Sequence, residues 1–241
     1  MKILLVGLVG LIFTLPAIAE SIDAPTVKAG DSWTFQNTRE AINSSWKQTH
    51  DVITVSRVTS TSIYYTSKQL GSTLPEKEFI RNLDWSRIRD VNGKQTVVNR
   101  PLNFPLEVGK TWQIQYTELN PNKFFRSQSW DSHYKVVGYE TVEVPAGKFK
   151  ACKIEAEGTW TGEIEPSQTA VSVAQSHTDS ATSVSQISKI HAATKSGRTY
   201  KAFWYAPEIK SLVKTVEEYY NSNNIRTECY TSELQSFKLA D

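Results

Sequence analysis

Side chains that bind soft or borderline metals are scarce in this sequence. The 241 residues include only two cysteines, four histidines and one methionine, which is the initiator. Zinc, copper and iron sites draw on those side chains, so we expect no metal and no cofactor. Catalytic signatures are missing as well, because the sequence has no G-x-S-x-G elbow, no H-E-x-x-H motif and no glycine-rich phosphate loop. We therefore predict a protein that is not an enzyme.

An excess of one charge and long apolar runs are also absent. The 27 Lys and Arg residues face 25 Asp and Glu residues, which gives a net charge of +2 with no basic cluster. The electrostatic footprint of a nucleic-acid-binding protein is therefore missing. No apolar run approaches the roughly 20 residues of a membrane-spanning helix. We expect neither a nucleic-acid partner nor a membrane span.

Residues 1–19 have the three parts of a secretory signal peptide. Lys2 supplies the positive charge, residues 3–13 are apolar or glycine, and Ala17-Ile18-Ala19 offers the small-x-small pattern of a cleavage site. The short leader is of the bacterial type. It predicts cleavage near Glu20 and a mature protein that is periplasmic or secreted.

The rest of the chain is rich in alternating runs of Val, Ile, Thr and aromatic residues, whereas helix signals are few. Asn92-Gly93 predicts a type I′ hairpin. Residues 144–147 (VPAG) predict a second hairpin, and residues 221–224 lie in a third turn, which closes the chain's last hairpin. The predicted fold class is all-β, with antiparallel sheets that form a sandwich or a half-open barrel.

One pattern of nine residues occurs twice. Residues 30–38 read GDSWTFQNT, and residues 109–117 read GKTWQIQYT. Both copies have the form G-x-[ST]-W followed by alternating residues, which is typical of a turn that leads into a strand. We predict two related β halves, an N-terminal half over residues 20–105 and a C-terminal half over residues 106–241.

The C-terminal half contains a polar insertion at residues 165–198. Ser and Thr dominate this segment, and no aromatic residue occurs between Trp160 and Tyr200. The spacing of its apolar residues permits a weak helix, while the Ser and Thr content lowers helix propensity. A mobile loop and a long exposed hairpin are the other two interpretations.

Aromatic residues are the one marked excess, with seven Trp, ten Tyr and nine Phe. Strand alternation sends Trp204 to one face of its strand and both Phe203 and Tyr205 to the other. The strand ends soon afterwards, where surface is open to a partner, so Trp204 or Tyr205 is the predicted ligand contact. By contrast, Trp33 and Trp112 in the repeated pattern are predicted core anchors.

The two cysteines, Cys152 and Cys229, are predicted to form a disulfide. An even number of cysteines in an exported protein usually indicates pairing, since the compartment is oxidising. Two separate buried thiols are the alternative, because sequence does not fix which strands are neighbours.

Three motifs of the C-terminal half occur together in one known family. Residues 142–154 read VEVPAGKFKACKI, residues 109–112 provide G-K-x-W upstream, and residues 204–209 read WYAPEI downstream. This set resembles a domain-of-unknown-function family of uncharacterised secreted or periplasmic β-proteins from Gram-negative bacteria. The resemblance implies curved antiparallel sheets with a half-open or concave face. It says nothing about activity, because the family has no assigned activity. Lys210 stands where the family usually has glycine, which implies a different turn if that glycine has a positive φ.

These observations predict a non-enzymatic periplasmic or secreted protein that binds a small apolar or glycan ligand, or serves the cell envelope, through a concave aromatic-lined sheet face. Two alternatives stay open. One is a glycan-binding module that stacks sugars on an exposed aromatic platform. The other is a hydrolase whose two carboxyl groups converge only in the folded chain.

Overall fold

A computed structural model of the protein describes residues 21–42, 44–164, 166–177, 180–190 and 192–241. The predicted signal peptide lies outside the described residues. Across these ranges the chain is built from strands and contains one short 3₁₀ helix. The described part contains no helix with the length and apolar character needed to cross a membrane.

The first six strands precede residue 100. They are β1 (Ser32–Ala41), β2 (Ser44–Val58), β3 (Ser62–Gln69), β4 (Lys77–Asn82), β5 (Arg87–Val91) and β6 (Lys94–Asn99). Eight more strands follow, with a 3₁₀ helix (Pro207–Ile209) between the sixth and seventh of them. They are β7 (Thr111–Asn122), β8 (Phe125–Val144), β9 (Gly147–Ile164), β10 (Ser167–His177), β11 (Ser180–Ile190), β12 (Thr194–Ala206), β13 (Ser211–Asn221) and β14 (Arg226–Lys238).

Ten of these strands form one antiparallel sheet in the order β4-β3-β2-β1-β14-β13-β12-β9-β8-β7. A separate two-stranded sheet of β5 and β6 contacts both edge strands, β4 and β7. The large sheet is therefore open, and the small sheet lies against its two edges. The prediction of an antiparallel all-β fold is confirmed.

The three predicted hairpin turns are confirmed. Asn92 and Gly93 both have positive φ, 54° and 80°, as a type I′ turn requires. Val144 pairs with Gly147 at the β8–β9 turn, and β13 pairs with β14 on either side of the last turn. The sequence predicts each of these turns because the conformation of a turn depends on the local steric preferences of its residues.

The polar insertion forms a hairpin of its own. Ser167 in β10 pairs with Ile190 in β11, and this pair of strands makes a separate two-stranded sheet. The hairpin connects β9 to β12, which pair with each other where it departs, with Glu163 opposite Thr194. Of the three interpretations, the described backbone of this segment thus shows a hairpin between two neighbouring strands.

Residues opposite one another in adjacent antiparallel strands point to the same face of a sheet. On the face that we call the inner face, Ala156 lies opposite Lys201, Lys201 opposite Glu217, Glu217 opposite Tyr230, and Tyr230 opposite Arg39. The other face, which carries Trp204 and its cross-strand neighbours, is called the outer face.

Two clusters of buried side chains form the core. The first core cluster is Val27, Trp33, Phe35, Val55, Ile63, Val144, Phe149, Ala151, Ala206, Ile209, Val213 and Leu234. The second core cluster is Leu102, Leu106, Tyr134, Val136, Cys152, Ile154, Ala156, Phe203 and Tyr205. Each cluster contains residues from both sides of position 105, so the apolar core is shared across the predicted boundary between halves.

The two copies of the repeated pattern begin with the same local structure. Gly30 donates its N–H to the carbonyl of Val55, and Gly109 donates to the carbonyl of Val136, at 2.8 and 2.9 Å. In both copies the valine N–H returns a bond to the residue after the glycine, at 2.8 and 2.9 Å. The glycines have φ of 93° and 88°, which favours glycine at this position.

The predicted disulfide is wrong. Cys152 lies in β9 and Cys229 in β14, and the sheet places β12 and β13 between those strands. Three steps between strands of about 4.8 Å each separate the cysteines by at least about 14 Å, whereas a disulfide needs Cα atoms within about 7 Å. Both thiols are buried. Burial raises the pKa of the Cys229 thiol, so it stays protonated and weakly reactive.

Candidate ligand-binding site

The tryptophans of the repeated pattern point into the inner side of the sheet. Trp33 is 1% exposed, and its indole N–H donates to the carbonyl of Ile209 at 2.8 Å. The prediction that Trp33 is a core anchor is confirmed. Trp112 is half-buried, stacks on Tyr134 with ring centres 5.3 Å apart and donates to the carbonyl of Arg100 at 2.9 Å.

Tyr205 was one of the two predicted ligand contacts, and the structure corrects that assignment. Its side chain is 1% exposed within the second core cluster and meets Phe104 edge-on, with ring centres 5.4 Å apart. Burial raises the pKa of its phenol. The strand does alternate as predicted, but its inner face is covered here, so Tyr205 packs the core.

Trp204, the other predicted contact, lies on the outer face and is half-buried. The ammonium groups of Lys153 and Lys214 are 5.4 and 6.0 Å from its ring centre. Its indole N–H donates to a carboxylate oxygen of Glu140. A sugar that stacked on this ring would compete with these cation–π contacts, so Trp204 offers little of the open platform that glycan binding uses.

A cavity of about 350 Å³ opens on the inner face. We call it the inner cavity. Its apolar wall is formed by Trp33, Phe35, Ile53, Tyr65, Trp85, Pro101, Phe203 and Leu212. Its polar wall is formed by Arg81, Arg87, Asn99, Ser211, Thr215, Glu217 and Ser232. Its lining combines eight apolar or aromatic residues with seven polar ones, which suits a small molecule that has both an apolar body and a polar group.

The connection between β4 and β5 carries the most unusual residue of the cavity. Trp85 has φ of 61°, a left-handed conformation that is rare for a bulky side chain. Its N–H bonds to Asn82 at 2.9 Å, and the N–H of Ser86 bonds to Asp84 at 2.9 Å. These bonds hold the turn, and the Trp85 ring then meets Trp33 edge-on at 5.5 Å.

Lys210 fixes the other end of the Trp85 indole, whose N–H donates to the Lys210 carbonyl at 3.2 Å. Lys210 itself has φ of 58° and ψ of 18°. The family resemblance implied that Lys210, in place of the usual glycine, would change the turn. This expectation is corrected, because the lysine adopts the left-handed conformation that glycine favours. Its ammonium group pairs with buried Asp31 at 3.2 Å, which holds the lysine in place.

A second concave space of about 560 Å³ adjoins the inner cavity, and the two share Thr215, Glu217 and Ser232. We call it the polar groove. Its other lining residues are Asn37, Thr38, Arg39, Lys47, Thr49, Gln69, Tyr219, Tyr230 and Thr231. The inner face is therefore one concave surface, aromatic at one end and hydroxyl-rich and charged at the other.

Two charged residues of the polar groove, Glu217 and Arg39, have partners on the neighbouring strands. Glu217 pairs with Lys201 at 3.2 Å and accepts a hydrogen bond from Tyr219 at 3.1 Å. The Nε of Arg39 donates to Tyr230 at 3.0 Å. Burial raises the pKa of the Tyr219 and Tyr230 phenols, so both are neutral hydrogen-bonding groups at neutral pH.

The inner cavity and the polar groove give little support to a hydrolase that uses two carboxyl groups. Among the described lining residues, Glu217 is the only carboxylate in either space, whereas glycoside hydrolysis usually needs two. The described residues also contain no group of three or more His, Cys, Asp or Glu side chains that could hold a metal ion. The inner cavity can hold an apolar body against its aromatic wall and hydrogen-bond to a polar group attached to that body.

Sequence reasoning missed Arg81, Trp85, Arg87 and Glu217 as site residues. The segment 81–87 (RNLDWSR) carried a local signal, since it places an arginine on each side of a tryptophan shortly before the predicted Asn92-Gly93 hairpin. No local sequence pattern pointed to Glu217, because its place at the cavity depends on the pairing of β13 with β12 and β14.

No family model and no curated protein matches the chain. Two solved structures resemble it weakly. A predicted lipoprotein from Parabacteroides distasonis is 12% identical, with 91% of this chain and 100% of that chain covered and a TM-score of 0.45. A predicted exported protein with a YmcC-like fold from Bacteroides fragilis is 16% identical, with 90% and 99% covered and a TM-score of 0.39. Likenesses this weak carry no conclusion about function.

Proposed function

We propose that the chain is a non-enzymatic binding protein that encloses a small ligand with an apolar body in the inner cavity. The main observation that supports this proposal is the aromatic wall, in which Trp33, Tyr65 and Trp85 form edge-on contacts beside a space of about 350 Å³. This volume falls within the usual size of small-molecule sites. Rigid aromatic side chains also offer large apolar contact with little entropy to lose.

The proposed location is the periplasm or the cell exterior. The support is the leader-like composition of residues 1–19. A carrier or envelope-associated role suits this location, since apolar molecules need a shielded site to cross an aqueous compartment. The two related halves remain part of the proposal and are supported by the matching turns at Gly30 and Gly109.

Binding can be tested with the neutral fluorescent probe 1-aminoanthracene. We expect saturable binding, with a blue-shifted probe emission and transfer from the cavity tryptophans. Thr215→Phe, which places a ring between the inner cavity and the polar groove, should weaken binding at least about tenfold, because the new side chain occupies ligand space.

Val216→Phe is the matched control, because the next residue of the same strand faces the outer side. Trp204→Ala is the second control and probes the outer face directly. Both should bind the probe like the unmodified protein. Loss of binding in Trp204→Ala with full binding in Thr215→Phe would place the ligand on the outer face and overturn the proposal.

A further inference from the structure

The polar wall of the inner cavity carries two arginines for which the fold supplies no acid. Arg81 lies near the end of β4 and Arg87 begins β5, so they stand on either side of Trp85 in the connection between these strands. Both arginines line the cavity. Among the described residues, neither guanidinium has a carboxylate within 4.0 Å. The arginines that form ion pairs near this turn are other ones, Arg89 with Glu118 and Arg100 with Asp84.

Three acids in or around this turn and its cavity have other cationic partners. Asp84 pairs with Arg100 at 3.1 Å, and Glu118 pairs with Arg89 at 2.5 Å. Glu217, which lines the same cavity, has its own ammonium partner in Lys201. The arginines therefore leave uncompensated positive charge in a space that otherwise has an aromatic wall.

Arg81 is also partly withdrawn from water. Its guanidinium carbon lies 5.6 Å from the ring centre of Tyr65, and the side chain is half-buried. Burial lowers the pKa of Arg81, and the neighbouring Arg87 lowers it further. Because the guanidinium group is the positively charged form of arginine, holding two of them here is unfavourable unless a negative group joins them.

We propose that the ligand of the inner cavity is an amphipathic anion, with a carboxylate or phosphate group bound by Arg81 and Arg87 and an apolar body against the aromatic wall. Guanidinium groups donate parallel N–H bonds to such oxyanions. Arg87 is exposed, so it is open to an incoming anion from solvent. Arg81, half-buried beside Tyr65, then lies where the charged end and the apolar body meet. This inference rests on the proposed binding function.

The left-handed conformation of Trp85 supports the same site. A bulky residue keeps a positive φ only where surrounding contacts enforce it, and such positions cluster at ligand sites. Here the conformation places an indole in the cavity wall and an arginine at each end of one turn. An apolar surface and a pair of anion-binding groups are thereby fixed relative to each other.

The test compares ligands of equal chain length by calorimetric titration of the full chain. Decanoate and decyl phosphate should bind at least about tenfold more tightly than decan-1-ol, and decyltrimethylammonium should bind more weakly still, because charge-assisted hydrogen bonds favour the anions. In Arg81→Gln/Arg87→Gln, decanoate and decan-1-ol should bind alike. Arg87→Gln alone should lose part of the preference, which keeps the test valid if the double variant is unstable.

Arg57→Gln is the matched control, since Arg57 stacks on Tyr64 at 3.9 Å and neither residue lines the cavity. It should keep the full preference for anions. Equal binding of decanoate and decan-1-ol to the unmodified protein, or a preference that survives the double variant, would overturn the anion inference and leave the binding function standing.

Inorganic phosphate separates the two proposals. It should bind much more weakly than decyl phosphate if the apolar body matters. Phosphate that binds as tightly as decyl phosphate and is lost in the double variant would support the arginine site but contradict the proposed apolar ligand. Absence of binding by every ten-carbon probe would overturn the binding function itself.

Discussion

The two G-x-[ST]-W segments have the same backbone turn but use the residue after the glycine in opposite ways. In the first segment this residue is Asp31, which is completely buried. Its carboxylate accepts backbone N–H groups of Lys28 and Ala240 at 2.8 Å each, and the ammonium group of Lys210 at 3.2 Å. One acid thus ties together both ends of the described chain and the turn after β12.

In the second segment the equivalent residue is Lys110. Its ammonium group donates to the carbonyls of Asn103 and Pro105 at 2.6 and 2.8 Å, and so holds the extended segment that leads into β7. The backbone turn depends on glycine and on its bonds to a valine, which the two copies share. The side chain after the glycine is left to make whichever long-range contact its surroundings require.

The largest expected losses of stability in the two copies concern their tryptophans, and these losses should differ. Trp33→Ala should lower the free energy of unfolding by about 3–5 kcal/mol, because a fully buried indole is removed from the first core cluster. Trp112→Ala should cost about 2 kcal/mol, since that ring is only half-buried. Urea unfolding followed by circular dichroism measures both. Equal losses would contradict the difference in burial between the two segments.

Smaller losses of stability are expected at the residue after the glycine. Asp31→Asn should cost about 3 kcal/mol, because it leaves the Lys210 ammonium without its buried partner. Lys110→Gln should cost about 1 kcal/mol, since its bonds are made at a half-exposed position. The exposed Lys148→Gln serves as a control and should be neutral. A larger loss at Lys110 than at Asp31 would reverse the proposed division of roles.

The features of the fold that sequence predicted are local ones. Asn92-Gly93 and residues 144–147 specify turns through steric preferences of a few residues, and strand alternation placed Phe203 and Trp204 on opposite faces. The repeat was visible because the turn at Gly30 and Gly109 needs the same residue type twice.

The features that sequence did not predict depend on strand order. The insertion of β12 and β13 between β9 and β14 separates Cys152 from Cys229 and so excludes the disulfide. The same long-range order brings Glu217 to the cavity with Arg81, which lies on the edge strand β4. Tyr205 was misassigned because alternation gives the face of a residue and not what covers that face.

The smallest expected effect tests whether the two turns are equivalent in their backbones. Gly30→Ala and Gly109→Ala should each cost about 1–2 kcal/mol, since an alanine must adopt positive φ in both turns. A Cβ at Gly109 would meet no atom within 4 Å, and one at Gly30 would meet only the Ala240 Cβ at 3.5 Å, an ordinary contact. Crowding therefore adds nothing to either value, and the two losses in urea unfolding should agree within about 0.5 kcal/mol. A clear difference between them would mean that the two turns differ in backbone strain and that their shared hydrogen bonds do not make them equivalent.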